Sequence, residues 1–215
     1  MTDPSGDRSD PDQSLVLSYL GLRKAIGIIG ATLPFVLALG KVVLGSPGIQ
    51  PSMSAYYYTK MGDVFVGSLC AIAVFLMSYR GYDIRDRVAG ILACIFGVGI
   101  AIFPTTEAGK DITFVGRLHY VCAASFFLVL AYFSLMLFTE TGSPGMETPQ
   151  KLKRNTIYRV CGWTILACVA LAALSGQLPG DSSWLKRDPL FWFEATAVVA
   201  FGVSWLTKGE AFLKD

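Results

Sequence analysis

Six apolar runs alternate with short polar connections along most of the chain, at residues 25–44, 63–79, 88–103, 115–138, 157–175 and 189–207. Within each run the apolar residues are nearly continuous. They do not recur every third or fourth position, as they would on a soluble helix, nor alternate as in a half-buried strand. A bilayer core of ~30 Å is crossed by roughly 17–25 residues of helix. The pattern therefore predicts an all-α fold, a bundle of six transmembrane helices occupying residues 19–208. Runs two and three are short, close to the lower limit, and would suit a locally thin bilayer.

The flanks differ from the runs. Residues 1–18 are polar and rich in Asp, Ser and Pro, a composition that cannot bury enough surface to fold alone, so a disordered tail is expected there. Residues 209–215 form a short C-terminal tail. Arg23 and Lys24 ahead of an apolar run give the look of a signal peptide. The long acidic tail before them and the lack of an A-x-A cleavage pattern after it favour a retained first span.

Composition supports this reading. Apolar residues make up 53% of the chain and charged residues 16%, against ~25% charge in a typical soluble domain. The net charge of +2 gives no case for a nucleic-acid partner. The five cysteines, Cys70, Cys94, Cys122, Cys161 and Cys168, all fall in apolar runs without C-x-x-C spacing. They read as small apolar residues, not as a disulfide framework or a zinc knuckle.

The placement of positive charge gives the expected orientation. One side of the six spans carries Arg8, Arg23, Lys24, Arg80, Arg85, Arg87, Lys151, Lys153, Arg154, Arg159, Lys208 and Lys214, and the other Lys41, Lys60, Lys110, Arg117, Lys186 and Arg187. With loops this short, the richer side is cytoplasmic, and both termini with it. The location implied is the cell membrane, multi-pass. Trp184, Trp192 and Tyr56–Tyr58 would lie near the outer interface as an aromatic belt. Ala93, Gly97 and Ala101, four apart on the third span, offer a close-packing seam, within the bundle or between copies in a homo-oligomer.

This orientation starts spans two, four and six at the outer face and brings their polar residues into view. Asp63 opens the second span, Arg117 and His119 lie in the first turn or so of the fourth, and Glu194 lies five residues after Pro189 in the sixth. Ionisable groups at membrane depth are costly and usually face the bundle interior or water. Each also has a structural reading. Asp63 suits an N-cap, Arg117 could snorkel to headgroups, and His119 could be a satisfied interfacial histidine. Glu194, in the run FWFEATAVVAFG, calls for a partner, and a salt bridge to Arg117 is the main rival to a ligand. The preceding outer loop, PSMSAYYYTKMGD, adds Ser54, Tyr56 and Tyr57, and of three successive tyrosines at least one should point inward.

Enzyme signatures are weak. Ser54, His119 and Asp63 have the residue types of a hydrolytic triad, but the serine lacks a G-x-S-x-G elbow. One histidine is too few for the usual catalytic zinc set, and no P-loop or dinucleotide fingerprint occurs. The expectation is thus no metal and no cofactor. Membrane lipids are the expected partners, with a lipid headgroup or small polar ligand bound in an outward-facing pocket by Ser54, Tyr56, Tyr57, Asp63, Arg117, His119 and Glu194. A membrane-embedded lipid hydrolase and a small transporter are the alternatives.

The stretch SMSAYYYTKMGDVFVGSLCAIAVFLMSYRGYD, with FPTTE after the third span and RLHYVCAASFF in the fourth, resembles bacterial six-span membrane proteins classed as a domain of unknown function. These are distantly similar in layout to the DRAM-type membrane families. The resemblance covers roughly residues 20–208 and singles out Ser54, Tyr56, Tyr57 and Asp63. It implies the six-span layout and supplies no reaction. The alkaline ceramidase group also combines Ser and Asp in the membrane but uses several histidines, where this chain has one.

Overall fold

The computed structural model describes residues 11–79, 81, 83–107, 109–141, 148–176 and 188–213, with side chains from residue 19 onward. Six long helices account for most of it: α1 Pro11–Val43, α2 Gly62–Met77, α3 Ile84–Ile102, α4 Phe114–Tyr132, α5 Pro149–Ser175 and α6 Pro189–Lys208. No strand occurs among the described residues. A short 3₁₀ helix, Ser54–Tyr58, lies between α1 and α2, and α4 runs on into a π turn, Phe133–Leu137. Arg8, Arg80, Trp184, Lys186, Arg187 and Lys214, expected at the two membrane faces, lie outside the described residues.

Each helix packs on its neighbours in sequence, and α6 returns to α1, so the six close into a ring. The start of α1 and the end of α6 share one end, called proximal below: the Arg23 guanidinium donates to the Lys208 carbonyl at 3.3 Å. The loops α1–α2 and α3–α4 and the start of α6 meet at the opposite, distal end.

Four helices are long and apolar enough to cross a membrane, over Tyr19–Val43, Phe114–Leu137, Pro149–Ser175 and Pro189–Lys208. Helix α2 has 16 residues, ~24 Å of rise, and α3 carries Arg85, Asp86 and Arg87 in its first turn. Large apolar side chains face outward all round the ring, among them Phe35, Leu39, Ile95, Val121, Val160 and Leu174. An exterior this apolar is far beyond the patch size of a soluble monomer. The chain is an all-helical membrane protein.

Helix limits follow local chemistry. Helix α1 is described from Pro11 onward, ahead of the apolar run, so helix extends into the segment expected to be disordered. Thr113 and Thr148 cap α4 and α5, accepting from Gly116 N–H at 3.0 Å and Lys151 N–H at 3.1 Å. Asp83 and Asp86 form a reciprocal capping box at α3. A Cβ at Gly81 would fall 1.9 Å from the Asp86 carboxyl, so only glycine lets the chain pass there.

Small residues set the helix spacings. A Cβ on Gly202 of α6 would meet the Ala31 backbone nitrogen at 2.4 Å, and one on Gly27 of α1 would meet the Leu206 nitrogen at 2.7 Å. Helices α1 and α6 therefore touch backbone to backbone. The stripe Ala93, Gly97 and Ala101 is buried within the chain itself, with Gly97 against Ala73 of α2 and Phe126 of α4.

Candidate functional site

The distal mouth of the ring is filled by the α1–α2 loop. Ser52, Met53, Ser54, Tyr56 and Met61 are all buried, so this loop is a plug more than a surface connection. Its grip on α6 is reciprocal. The Phe191 N–H, one of the partnerless donors of a helix start, reaches the Pro51 carbonyl at 3.1 Å. In return the Glu194 carboxylate accepts the Met53 N–H at 2.6 Å, and the Ser54 N–H also points to it. Those two amides open the 3₁₀ helix, so Glu194 acts as its cap from a distant part of the sequence.

Glu194 also lines two cavities. One, of about 40 Å³, lies in the middle of the ring among residues such as Met53, Ser54, Phe65 and Phe201. The other, of about 680 Å³, lies between α4, α5 and α6 at the distal end, walled by Tyr120, Phe127, Val169, Ala172 and Phe193, with Asp188 at α6's start. Its described lining is mostly apolar, with two carboxylates and no Lys, Arg or His. A carboxylate offers about four acceptor positions. Two N–H groups leave Glu194 capacity for a further donor in either cavity, and its side chain stays half-buried there.

The three tyrosines diverge. Tyr56 is fully buried, with its ring 6.1 Å from that of Phe191. Its hydroxyl faces the Gln50 backbone without a well-formed hydrogen bond, and burial pushes the phenol above its ordinary pKa. Tyr57 packs edge-on against Tyr58 at 5.2 Å. Tyr58 is 47% exposed, and its hydroxyl donates to the Thr105 carbonyl at 2.6 Å, tying the plug to the α3–α4 loop.

The other sequence-derived candidates turn elsewhere. His119 is buried, and its Nδ1 lies 2.7 Å from the Phe103 carbonyl. A carbonyl only accepts, so Nδ1 carries the proton, and the imidazole satisfies one of the partnerless carbonyls at the end of α3. It lines neither cavity. Asp63 is exposed. It is not the N-cap of α2, which is Met61; Gly62 is already helical, so the carboxylate lies in the first turn, where it still favours the helix dipole. Arg117 is exposed too, and no salt bridge joins it to Glu194 among the described residues; backbone amides take the place of that ion pair. The structure thus brings together Glu194, Ser54 and Tyr56, and leaves Asp63, Arg117 and His119 at separate places on the distal rim.

Sequence reasoning missed two things here. The α4–α5–α6 cavity is made by Ala123, Ala124, Ala172, Ala173 and Ala197, small residues that carry no signal in a hydropathy pattern. The cap on the plug joins residues 141 positions apart, which no local motif announces. Lys41 belongs to the same end: its ammonium donates to the Pro47 and Gly48 carbonyls at 3.0 and 2.9 Å, so it is a loop clamp. No group of three or more His, Cys, Asp or Glu that could hold a metal occurs among the described residues. No family model, curated protein or solved structure matches the chain.

Proposed function

We propose that this is a six-span, multi-pass protein of the cell membrane, with both termini cytoplasmic, that binds an amphipathic ligand in the cavity between α4, α5 and α6. The observation that carries the reading is Glu194, a carboxylate with spare acceptor capacity on a cavity whose described walls are mostly apolar. The ligand's tail lies against α4 and α5, and its head, a hydrogen-bond donor or a cation, meets Glu194. A lipid headgroup bearing hydroxyls or an ammonium satisfies that chemistry; an anionic head meets two carboxylates and is repelled. Six spans are supported by α2 and α3 standing side by side with the four longer helices in one closed ring, so that they share the same depth of bilayer. The cytoplasmic assignment rests on the distribution of Lys and Arg.

The test uses purified full-length protein in detergent and two fluorescent probes of equal chain length, a dansylated long-chain primary amine and the matching carboxylic acid. The amine is expected to bind saturably and the acid not. Glu194→Gln weakens the amine at least tenfold, and Ala172→Phe, which fills the cavity, abolishes it. Equal binding of amine and acid, or full binding by both variants, refutes the reading. Turnover of lipid by the purified protein favours the hydrolase instead, and Glu194-dependent flux in proteoliposomes the transporter.

A further inference from the structure

The two cavities that meet at Glu194 are separated by very little. Among the described residues just three line both of them: Ala123 and Phe127 of α4 and Glu194 of α6. Helix geometry accounts for the set. Ala123 and Phe127 lie one turn apart along the same edge of α4. On one side of that edge Phe126 and Leu130 face the central cavity, and on the other Tyr120 and Ala124 face the cavity between α4, α5 and α6. Helix α6 divides in the same way, with Val198 and Phe201 toward the centre and Leu190 and Ala197 toward the larger cavity. A methyl, a carboxylate and a phenyl ring make up the shared wall, and the phenyl ring is the bulk of it.

Phe127 also forms the floor of the larger cavity. Helices α4 and α6 run from the distal end to the proximal one, and α5 runs back. The deepest residues they give that cavity are therefore Phe127, Ala197 and Cys168, of which only Phe127 is large. An amphiphile with its head on Glu194 points its tail away from the distal face, toward the middle of the bilayer and so toward this floor. Ala197 lies ~4.5 Å below Glu194 along α6, at the rise of an α-helix. Phe201, on the central cavity, lies ~6 Å below Ala197.

The side chain is not packed as a core residue is. Phe126 and Leu130 beside it are buried, whereas Phe127 is half-buried, with a cavity on either side and the Phe126 ring edge-on at 6.1 Å. Protein interiors leave few voids larger than a water molecule. A phenyl ring standing between two of them is poorly explained by packing alone.

We infer that Phe127 determines which amphiphiles the larger cavity accepts: its phenyl ring stops the tail and so sets the longest chain that fits with its head on Glu194. This rests on the amphiphile reading above and adds to it a limit on tail length. Without the phenyl ring the two cavities join, and the tail runs on into the middle of the helix bundle, toward Leu69, Ile72 and Phe201.

The experiment measures straight-chain amines, from butyl to dodecyl, as competitors of the dansylated amine on full-length wild type, Phe127→Ala and Phe127→Leu. All are held in one detergent, whose own uptake of each amine cancels in the ratio between proteins. Wild-type affinity is expected to rise with chain length and then level off. In Phe127→Ala it keeps rising past that length, by up to about fourfold per added methylene, over the few further carbons that ~6 Å of depth admits. Phe127→Leu, which keeps most of the site filled and serves if the alanine variant does not fold, extends the limit by less. A long-chain amine with a diazirine at the tail end gives a second readout. It should label Leu69 and Ile72, which line the central cavity alone, in Phe127→Ala and not in wild type. The same limit in all three proteins, with no label on α2, overturns the role of Phe127 and leaves the amphiphile reading standing. Label on Leu69 and Ile72 already in wild type overturns it too, because the tail then passes the phenyl ring. A wild type without saturable amine binding refutes the amphiphile reading itself, and this inference with it.

Discussion

Removing the Glu194 carboxylate should release the plug at the distal mouth without unfolding the ring. The carboxylate accepts the Met53 N–H at 2.6 Å and is also approached by the Ser54 N–H. A hydrogen bond to a charged group contributes about 1.5–3 kcal/mol, and a buried N–H left without a partner costs about 1–3 kcal/mol. Two such bonds set an upper range of about 3–6 kcal/mol. Other anchors remain, namely Phe191 N–H on the Pro51 carbonyl, Tyr58 on Thr105, and the buried Met53 and Tyr56. Water can also reach the freed amides. A local opening energy lower by about 2–4 kcal/mol is therefore expected for Glu194→Ala, a gain of roughly 30- to 700-fold in the open population at 1.4 kcal/mol per tenfold.

The assay is maleimide labelling of Ser52→Cys, a buried plug position, with mass spectrometry of that peptide so that the five native cysteines do not interfere. Glu194→Ala should accelerate labelling within this range. Glu194→Gln, which keeps one acceptor oxygen, should fall between it and wild type. Tyr58→Phe, losing one neutral bond of about 1 kcal/mol, should give only about a fivefold gain. Labelling within threefold of wild type in Glu194→Ala would show that the carboxylate does not hold the plug.

Further outcomes follow from other contacts. Gly202→Val places a branched side chain where even a Cβ would lie 2.4 Å from the Ala31 nitrogen. The α1–α6 pair must part, lowering stability in detergent by about 1–3 kcal/mol or more, and an unchanged midpoint would contradict the backbone contact. His119→Ala, which strips the Phe103 carbonyl of its donor, should cost about 1–3 kcal/mol yet leave amine binding intact; lost binding with unchanged stability would return the imidazole to the ligand site. The hydrogen bond from Arg85 holds the exposed Asp83 carboxyl below its ordinary pKa. What this adds to stability is present above the usual carboxylate range and fades as pH falls through the depressed value. Arg85→Ala should move the Asp83 midpoint upward in an NMR titration, and a stationary midpoint would remove Arg85 as the cause.

Much of the helical layout is legible in the chain. The apolar runs announce α1 to α6 because bilayer burial needs long stretches without charge, and proline or threonine marks the starts of α4, α5 and α6. Boundaries shift where polar residues extend a helix beyond its apolar run. Helix α5 starts at Pro149 and not near residue 157, because QKLKRNT is helix-compatible and Thr148 caps it. The site is less legible. Shared helix direction places Asp63, His119 and Glu194 at one end, but rotation about each helix axis decides which way a side chain faces. That rotation is set by packing at residues such as Gly97 and Gly202. It turns His119 onto the end of α3 and leaves Asp63 and Arg117 at the surface, while Glu194 faces the plug.

The amphiphile cavity is tested most directly by photo-crosslinking. A long-chain amine carrying a diazirine in its tail is bound to the full-length protein, irradiated, and its attachment sites mapped by peptide sequencing. Adducts concentrated on the α4, α5 and α6 walls, at Phe127, Val169, Ala172 and Phe193, and competed away by unlabelled amine, are the expected result. Adducts spread over the outward apolar faces, such as Phe35 and Leu39 of α1, with no competition, would contradict it.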